Sequence, residues 1–137
     1  MNILYVALGS AVGGVARWVL GGALQRRFGG VAAAPGAVPF PVGTLLVNVS
    51  GSFVLGALAV LVARQTGASA MIRLLLMVGF CGGYTTFSTF SLDTVALLEQ
   101  GAPMLAAVNV LASLTLAFLG TFGGMMLMRA LLAPTVT

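Results

Sequence analysis

Residues 79–91 read GFCGGYTTFSTFS, and they interrupt the third of four long apolar segments. The stretch carries three glycines, five serine and threonine side chains, and a pair of phenylalanines three residues apart, Phe87 and Phe90. Irregular backbone cannot face lipid, because each unpaired N–H or C=O costs several kcal/mol there; it is tolerated where it lines a cavity. We therefore predict a broken membrane helix beside a polar cavity, and we place the functional site there.

The composition is that of a membrane protein with few chemically active groups. Of 137 residues, 60% are hydrophobic and 6% are charged, whereas soluble domains carry about 25% charged residues. Histidine is absent and the acids are Asp93 and Glu99, so the usual acid–base and nucleophilic sites cannot be assembled. We predict that the chain is not an enzyme. Its six arginines are scattered rather than gathered in a basic stripe, which argues against nucleic-acid binding.

Four segments are long enough to cross the hydrocarbon core of a bilayer, which takes about 20 apolar residues. We predict an all-α membrane protein with one integral-membrane domain, residues 1–137. Pro103 suits the first turn of a helix, where its missing N–H is not needed. The predicted spans are residues 3–24, 42–63, 74–98 with a break near 82–86, and 103–128.

The arginines give almost no bias for orientation. Arg64, Arg73 and Arg129 fall on one side of the membrane, and Arg26 and Arg27 fall on the other. Loop Lys and Arg residues set orientation, so three against two allows insertion in either direction. Two interpretations stay open: a fixed orientation with a cytoplasmic N-terminus, or an antiparallel, dual-topology homodimer. A single unit of four helices offers little protein to enclose a polar pathway, which favours the dimer.

Two polar side chains interrupt the first and second spans. Arg17 lies in the middle of the first span, where a charge costs at least about 2.5–3.5 kcal/mol on insertion scales. It either extends to the interface past Trp18 or lies in an aqueous vestibule, where it would attract an anion. Asn48 either forms an interhelical hydrogen bond, a common use of this residue in bundles, or presents its amide donor to a pore.

The fourth span has a polar face. Asn109, Ser113 and Thr121 lie at i, i+4 and i+12, so they share one side of a helix. Ala117 occupies the missing i+8 position. The face is either a set of interhelical hydrogen bonds or a polar track, and spacing alone favours the hydrogen bonds.

Aromatic residues in an apolar span would ordinarily pack in the core. The surroundings of Phe87 and Phe90 suggest a further role. They follow the predicted break, for which Gly82 and Gly83 would supply backbone freedom. Aromatic rings have positive edges, so the two rings can hold a small anion together with N–H and O–H donors. Carbonyls freed by the broken helix can coordinate a monovalent cation.

Three motifs together resemble the Fluc (CrcB) fluoride channels: GSAVGGVARW at 9–18, GTLLVNVSGSFVLG at 43–56 and GFCGGYTTFSTFS at 79–91. The resemblance covers essentially the whole chain. It implies an antiparallel dual-topology homodimer with two pores, each built from both subunits. It also implies passive, selective exit of fluoride through the bacterial inner membrane, and a structural sodium ion at the dimer interface.

The resemblance also implies roles for individual residues. Phe87 and Phe90 match the pore phenylalanines, contributed from opposite subunits, and Asn48 matches the pore asparagine. The backbone carbonyls of Gly82 and Thr85 match the sodium ligands. Other matching positions are the first-span arginine at Arg17, hydroxyls facing the fluoride path at Ser88 and Thr89, and the polar track at Asn109, Ser113 and Thr121.

The chain departs from the family pattern in the fourth span. Family members often have a further hydroxyl where Ala117 stands and an aromatic residue at the position of Asn109. The departure affects the details of the track but not the overall resemblance.

Two other classes of protein remain as alternatives to a passive fluoride channel. A small multidrug exporter also has four spans, but it needs a membrane-embedded glutamate in the first span, where this chain has Arg17. A non-transporting assembly subunit would use the small-residue packing faces of this chain but would not explain TTFSTFS at 85–91.

Overall fold

A computed structural model describes residues 2–29, 38–64 and 69–133. It contains four helical spans that are long and apolar enough to cross a membrane. The predicted all-α architecture with four spans is thereby confirmed. The spans are Asn2–Phe28, Val42–Arg64, Ala70–Glu99 and Pro103–Leu131.

The first, second and fourth spans are continuous helices, and the third is divided. Helix α1 is Asn2–Phe28, α2 is Val42–Arg64 and α6 is Pro103–Leu131. Pro103 lies in the first turn of α6, as predicted. The third span comprises α3 (Ser69–Ile72), a π-helical segment (Arg73–Cys81), α4 (Gly82–Tyr84) and α5 (Phe87–Glu99).

The break in the third span consists of Thr85 and Thr86. Both have extended backbone, with φ −81° and ψ 158° at Thr85 and φ −152° and ψ 114° at Thr86. This position lies inside the predicted range of 82–86. The attribution of the break to Gly82 and Gly83 was wrong, because both lie in α4 and Gly82 has helical angles of φ −64° and ψ −36°. Threonine is β-branched and adopts extended backbone readily.

Glycines let the helices pack at backbone contact. A Cβ atom at Gly56 would collide with the carbonyl of Thr121, and one at Gly124 with the carbonyl of Phe53. These contacts join α2 to α6, the most extensive helix pair. Gly9 and Gly13 similarly bring α1 against the carbonyls of Leu75 and Phe80. Small residues at helix interfaces are typical of membrane bundles.

Neighbouring glycines of α1 provide a matched test of this packing. A Cβ at Gly13 would meet the Phe80 carbonyl, whereas a Cβ at Gly14 would meet no atom within 4 Å. We expect Gly13→Ala to destabilise the protein by about 1–3 kcal/mol, the usual effect of overpacking. Gly14→Ala should have no destabilising effect. Thermal unfolding of both variants in detergent measures the difference, and equal melting temperatures would contradict the packing described here.

Candidate functional site at the break in the third span

Asn48 holds the break against α2. Its side-chain Nδ2 donates to the Thr86 carbonyl at 3.0 Å, and its Oδ1 accepts from the Thr86 backbone N–H at 2.7 Å. One primary amide thus pairs with both backbone polar groups of an extended residue, as a neighbouring strand would. Because unpaired backbone groups are costly away from water, Asn48 makes the break possible at this depth.

The same contacts release two carbonyls from helical hydrogen bonding. In a continuous helix the carbonyl of residue i accepts from the N–H of residue i+4. In a continuous helix the Thr86 N–H would donate to the Gly82 carbonyl, but here it donates to Asn48. Likewise, the Thr89 N–H would donate to the Thr85 carbonyl in a continuous helix, but here it donates to the Thr86 hydroxyl at 3.1 Å. The break therefore frees the carbonyls of Gly82 and Thr85 from these i+4 donors, and Gly82 is also exposed.

Thr86 begins α5 as its N-cap residue. Its hydroxyl accepts from the Thr89 N–H and donates to the Thr89 hydroxyl at 2.9 Å. The Ser88 hydroxyl lies 3.3 Å away. The structure therefore brings the predicted residues Ser88 and Thr89 together around Thr86. Thr86 was not among the predicted site residues, although threonine directly before an apolar helix is a recognised capping signal.

A second contact with α2 holds the other side of the break. The hydroxyl groups of Tyr84 and Ser50 form a hydrogen bond at 3.0 Å. The Tyr84 ring stacks on Phe80 with centroids 5.6 Å apart. Neither Tyr84 nor Ser50 was among the predicted site residues, since no local pattern pairs residues on different spans.

Phe87 and Phe90 occupy the first turn of α5. Their ring centroids are 5.4 Å apart and the rings are tilted by 46°. Phe87 is 76% exposed, while Phe90 is half-buried. The Phe87 ring is therefore available to a neighbouring molecule, or to lipid, rather than to the core of its own subunit.

A cavity of about 790 Å³ lies beside the break, lined by both Thr86 and Thr89. Arg17 lines it as well, which supports the vestibule interpretation of this residue. Asp93 and Thr44 face the same cavity, where the Thr44 hydroxyl donates to the Asp93 carboxylate at 2.7 Å. Asp93 was not among the predicted site residues, and its one signal in the sequence is that it is an acid within an apolar span.

The polar residues of α6 have different surroundings. Asn109 is only 2% exposed, and its Nδ2 donates to the Thr94 hydroxyl at 2.9 Å. This bond confirms, for Asn109, the interhelical hydrogen bonding that spacing favoured. Ser113 is buried on the same side of the helix. Thr121 donates to the Ala117 carbonyl at 3.1 Å, within its own helix.

Comparison with known proteins identifies the family. Residues 4–125 match the model of the family described as CrcB-like protein, Camphor Resistance (CrcB). The chain belongs to the CrcB-like family. The predicted resemblance is thereby confirmed, and it covers every element from α1 to most of α6.

Several CrcB-like relatives are similar over nearly their whole length. A protein of Rhizobium meliloti (strain 1021) is 45% identical over 130 residues, which cover 95% of this chain and 98% of the relative. One of Agrobacterium fabrum is 47% identical, with 96% and 98% covered. One of Coxiella burnetii is 40% identical, with 96% and 100% covered. All three are named fluoride-specific ion channel FluC.

Proposed function

We propose that this chain forms a fluoride-specific passive ion channel that lowers cytoplasmic fluoride and so reduces its toxicity. One observation carries the proposal: the chain aligns almost end to end with CrcB-like relatives that are named fluoride-specific ion channels. The broken third span supports it, because irregular backbone beside a cavity is typical of ion pathways. Such a protein is not an enzyme. Its four apolar spans make it a multi-pass membrane protein, and we place it in the bacterial inner membrane.

In the proposed pathway, fluoride first enters the cavity lined by Arg17 and Arg26. Positive side chains raise the local concentration of an anion, and the two arginines outnumber the one acid that lines this cavity, Asp93. The ion then exchanges water for donors at the break. Candidate donors are the second amide N–H of Asn48 and the hydroxyls of Ser88 and Thr89, with the positive edges of the phenylalanine rings. Binding must be favourable enough to admit the ion and weak enough to release it.

We also infer an antiparallel, dual-topology homodimer. The balanced arginine distribution supports two orientations. Phe87 is 76% exposed although it lies beside the predicted ion path, and Gly82 presents an open surface next to the break. A second copy of the chain would cover both and would enclose a path that one subunit leaves open.

The freed carbonyls of Gly82 and Thr85 fit a structural sodium ion. Carbonyl oxygens released by discontinuous helices coordinate sodium in transporters, and these two lack the i+4 donors that a helix would give them. When bound, sodium would neutralise the carbonyl dipoles at the interface between subunits. It would be neither transported nor catalytic.

Removing sodium should therefore weaken the dimer. After thorough equilibration in buffer with N-methylglucamine as the only cation, we expect partial dissociation in detergent and reduced fluoride efflux. Single-molecule subunit counting and proteoliposome efflux measure the two effects. Restoring sodium should reverse both, and full dimer content with unchanged efflux in the sodium-free sample would argue against the cation site.

The direct test of function is fluoride efflux from liposomes that contain purified protein, recorded with a fluoride electrode. Rapid efflux is expected, with chloride retained in parallel vesicles. Retention of fluoride would favour a non-transporting assembly subunit. Transport of a cationic drug driven by a proton gradient would favour the exporter alternative.

A further inference from the structure

The polar face of α6 has a gap at Ala117, and a cavity lies at that gap. The cavity has a volume of about 240 Å³ and is lined by one residue of α2, Ser52, and four residues of α6: Leu114, Ala117, Phe118 and Thr121. Ser52 is half-buried. It follows Asn48 by one helical turn, so both lie on the same side of α2. That side faces the break at Asn48 and the polar face of α6 at Ser52.

Ser52 is the better hydroxyl donor in this cavity. An anion needs O–H or N–H groups directed towards it. Thr121 already donates its hydroxyl proton to the Ala117 carbonyl at 3.1 Å, and Ala117 has no polar side chain. Serine and threonine often donate to the carbonyl four residues earlier, as Ser91 and Thr94 do here. Among the described residues, Ser52 makes no hydrogen bond of this kind.

We propose that Ser52 lines the fluoride path and donates its hydroxyl to the ion at the level of Ala117. The inference rests on the proposed channel function and adds a residue of α2 to the pathway. In this arrangement Ser52 of α2 supplies a hydroxyl group at the level between Ser113 and Thr121, where α6 has the apolar residue Ala117.

The alternative occupant of the cavity is a lipid acyl chain. Leu114 and Phe118 at the cavity are 49% and 67% exposed, as lipid-facing side chains are. If lipid fills the cavity, removing the Ser52 hydroxyl should not change fluoride transport. Fluoride efflux through Ser52 variants therefore distinguishes an ion path from a lipid site.

The test compares fluoride efflux through wild-type, Ser52→Ala, Ser52→Thr and Ser52→Ala/Ala117→Ser proteins in liposomes. We expect Ser52→Ala to slow efflux about tenfold, which corresponds to about 1.4 kcal/mol, because the change removes a hydrogen bond to a charged group. Ser52→Thr should retain activity, because it keeps the hydroxyl. Ala117→Ser should restore efflux in the double variant by supplying a hydroxyl from the facing helix. Thr115→Val removes an exposed hydroxyl of α6 and should have no effect.

Restoration by Ala117→Ser is the result that a purely structural role for Ser52 would not produce. Wild-type efflux through Ser52→Ala would overturn the inference and leave the channel function intact. Slow efflux that neither Ser52→Thr nor Ala117→Ser restores would also overturn it. Absence of fluoride efflux from the wild-type protein would instead refute the proposed function itself.

Discussion

Replacing Phe90 or Phe87 with isoleucine should reduce fluoride efflux from proteoliposomes by roughly 10- to 100-fold, the effect of losing an interaction of about 1.5–3 kcal/mol with a charged group. Isoleucine preserves an apolar side chain of substantial size but has no ring. An aromatic edge carries partial positive charge, which an aliphatic group cannot offer to an anion that has lost water.

Protein stability should change little in Phe87→Ile, because Phe87 is 76% exposed within the subunit. The two measurements are therefore the efflux rate and the melting temperature in detergent. Phe122→Ile is a matched control, since Phe122 is also an exposed phenylalanine, at 62%, but lies on α6 rather than on the third span. Efflux at the wild-type rate through either Phe87→Ile or Phe90→Ile would show that the replaced ring is not part of the fluoride pathway.

Replacing Asn48 with leucine should abolish efflux and also destabilise the fold. The change removes both hydrogen bonds to Thr86, at 2.7 and 3.0 Å, and leaves the backbone N–H and carbonyl of an extended residue without these partners. Each unsatisfied buried group costs about 1–3 kcal/mol. The third span would then close into a continuous helix or admit water, and either result would displace Phe87 and Phe90.

Two further variants separate the parts of the Asn48 effect. Asn48→Asp keeps an acceptor for the Thr86 N–H but places a second acceptor against the Thr86 carbonyl. It also adds negative charge beside an anion path, so efflux should fall as severely as with leucine. Ser50→Ala removes the hydrogen bonds of the Ser50 hydroxyl to Tyr84 and to the Val47 carbonyl of its own helix, but it leaves both backbone groups of Thr86 paired and should have a smaller effect on melting temperature. A melting temperature of Asn48→Leu equal to that of the wild type would show that the break does not depend on Asn48.

Hydropathy alone determined the four spans, because crossing a bilayer imposes a length and an apolar composition that local sequence reports directly. The concentration of hydroxyls and glycines at 79–91 also placed the break within the range 82–86. The three motifs, at 9–18, 43–56 and 79–91, were sufficient to indicate the family. Asn48 was selected from the sequence as well, because it is polar within an apolar span, and Phe87 and Phe90 were selected because they follow the predicted break among hydroxyl side chains.

Tertiary structure decided how the break is held. Asn48 and Thr86 are 38 residues apart, and no periodicity within one helix reveals a hydrogen bond between helices. The same limitation concealed the partner of Asn109, which is Thr94, and the residues of other helices that line the cavity with Arg17. Glycines at 82–83 suggested where the chain would bend, but a helix ends where its backbone groups find better partners. Here α2 offers those partners to Thr86, and the glycines remain helical.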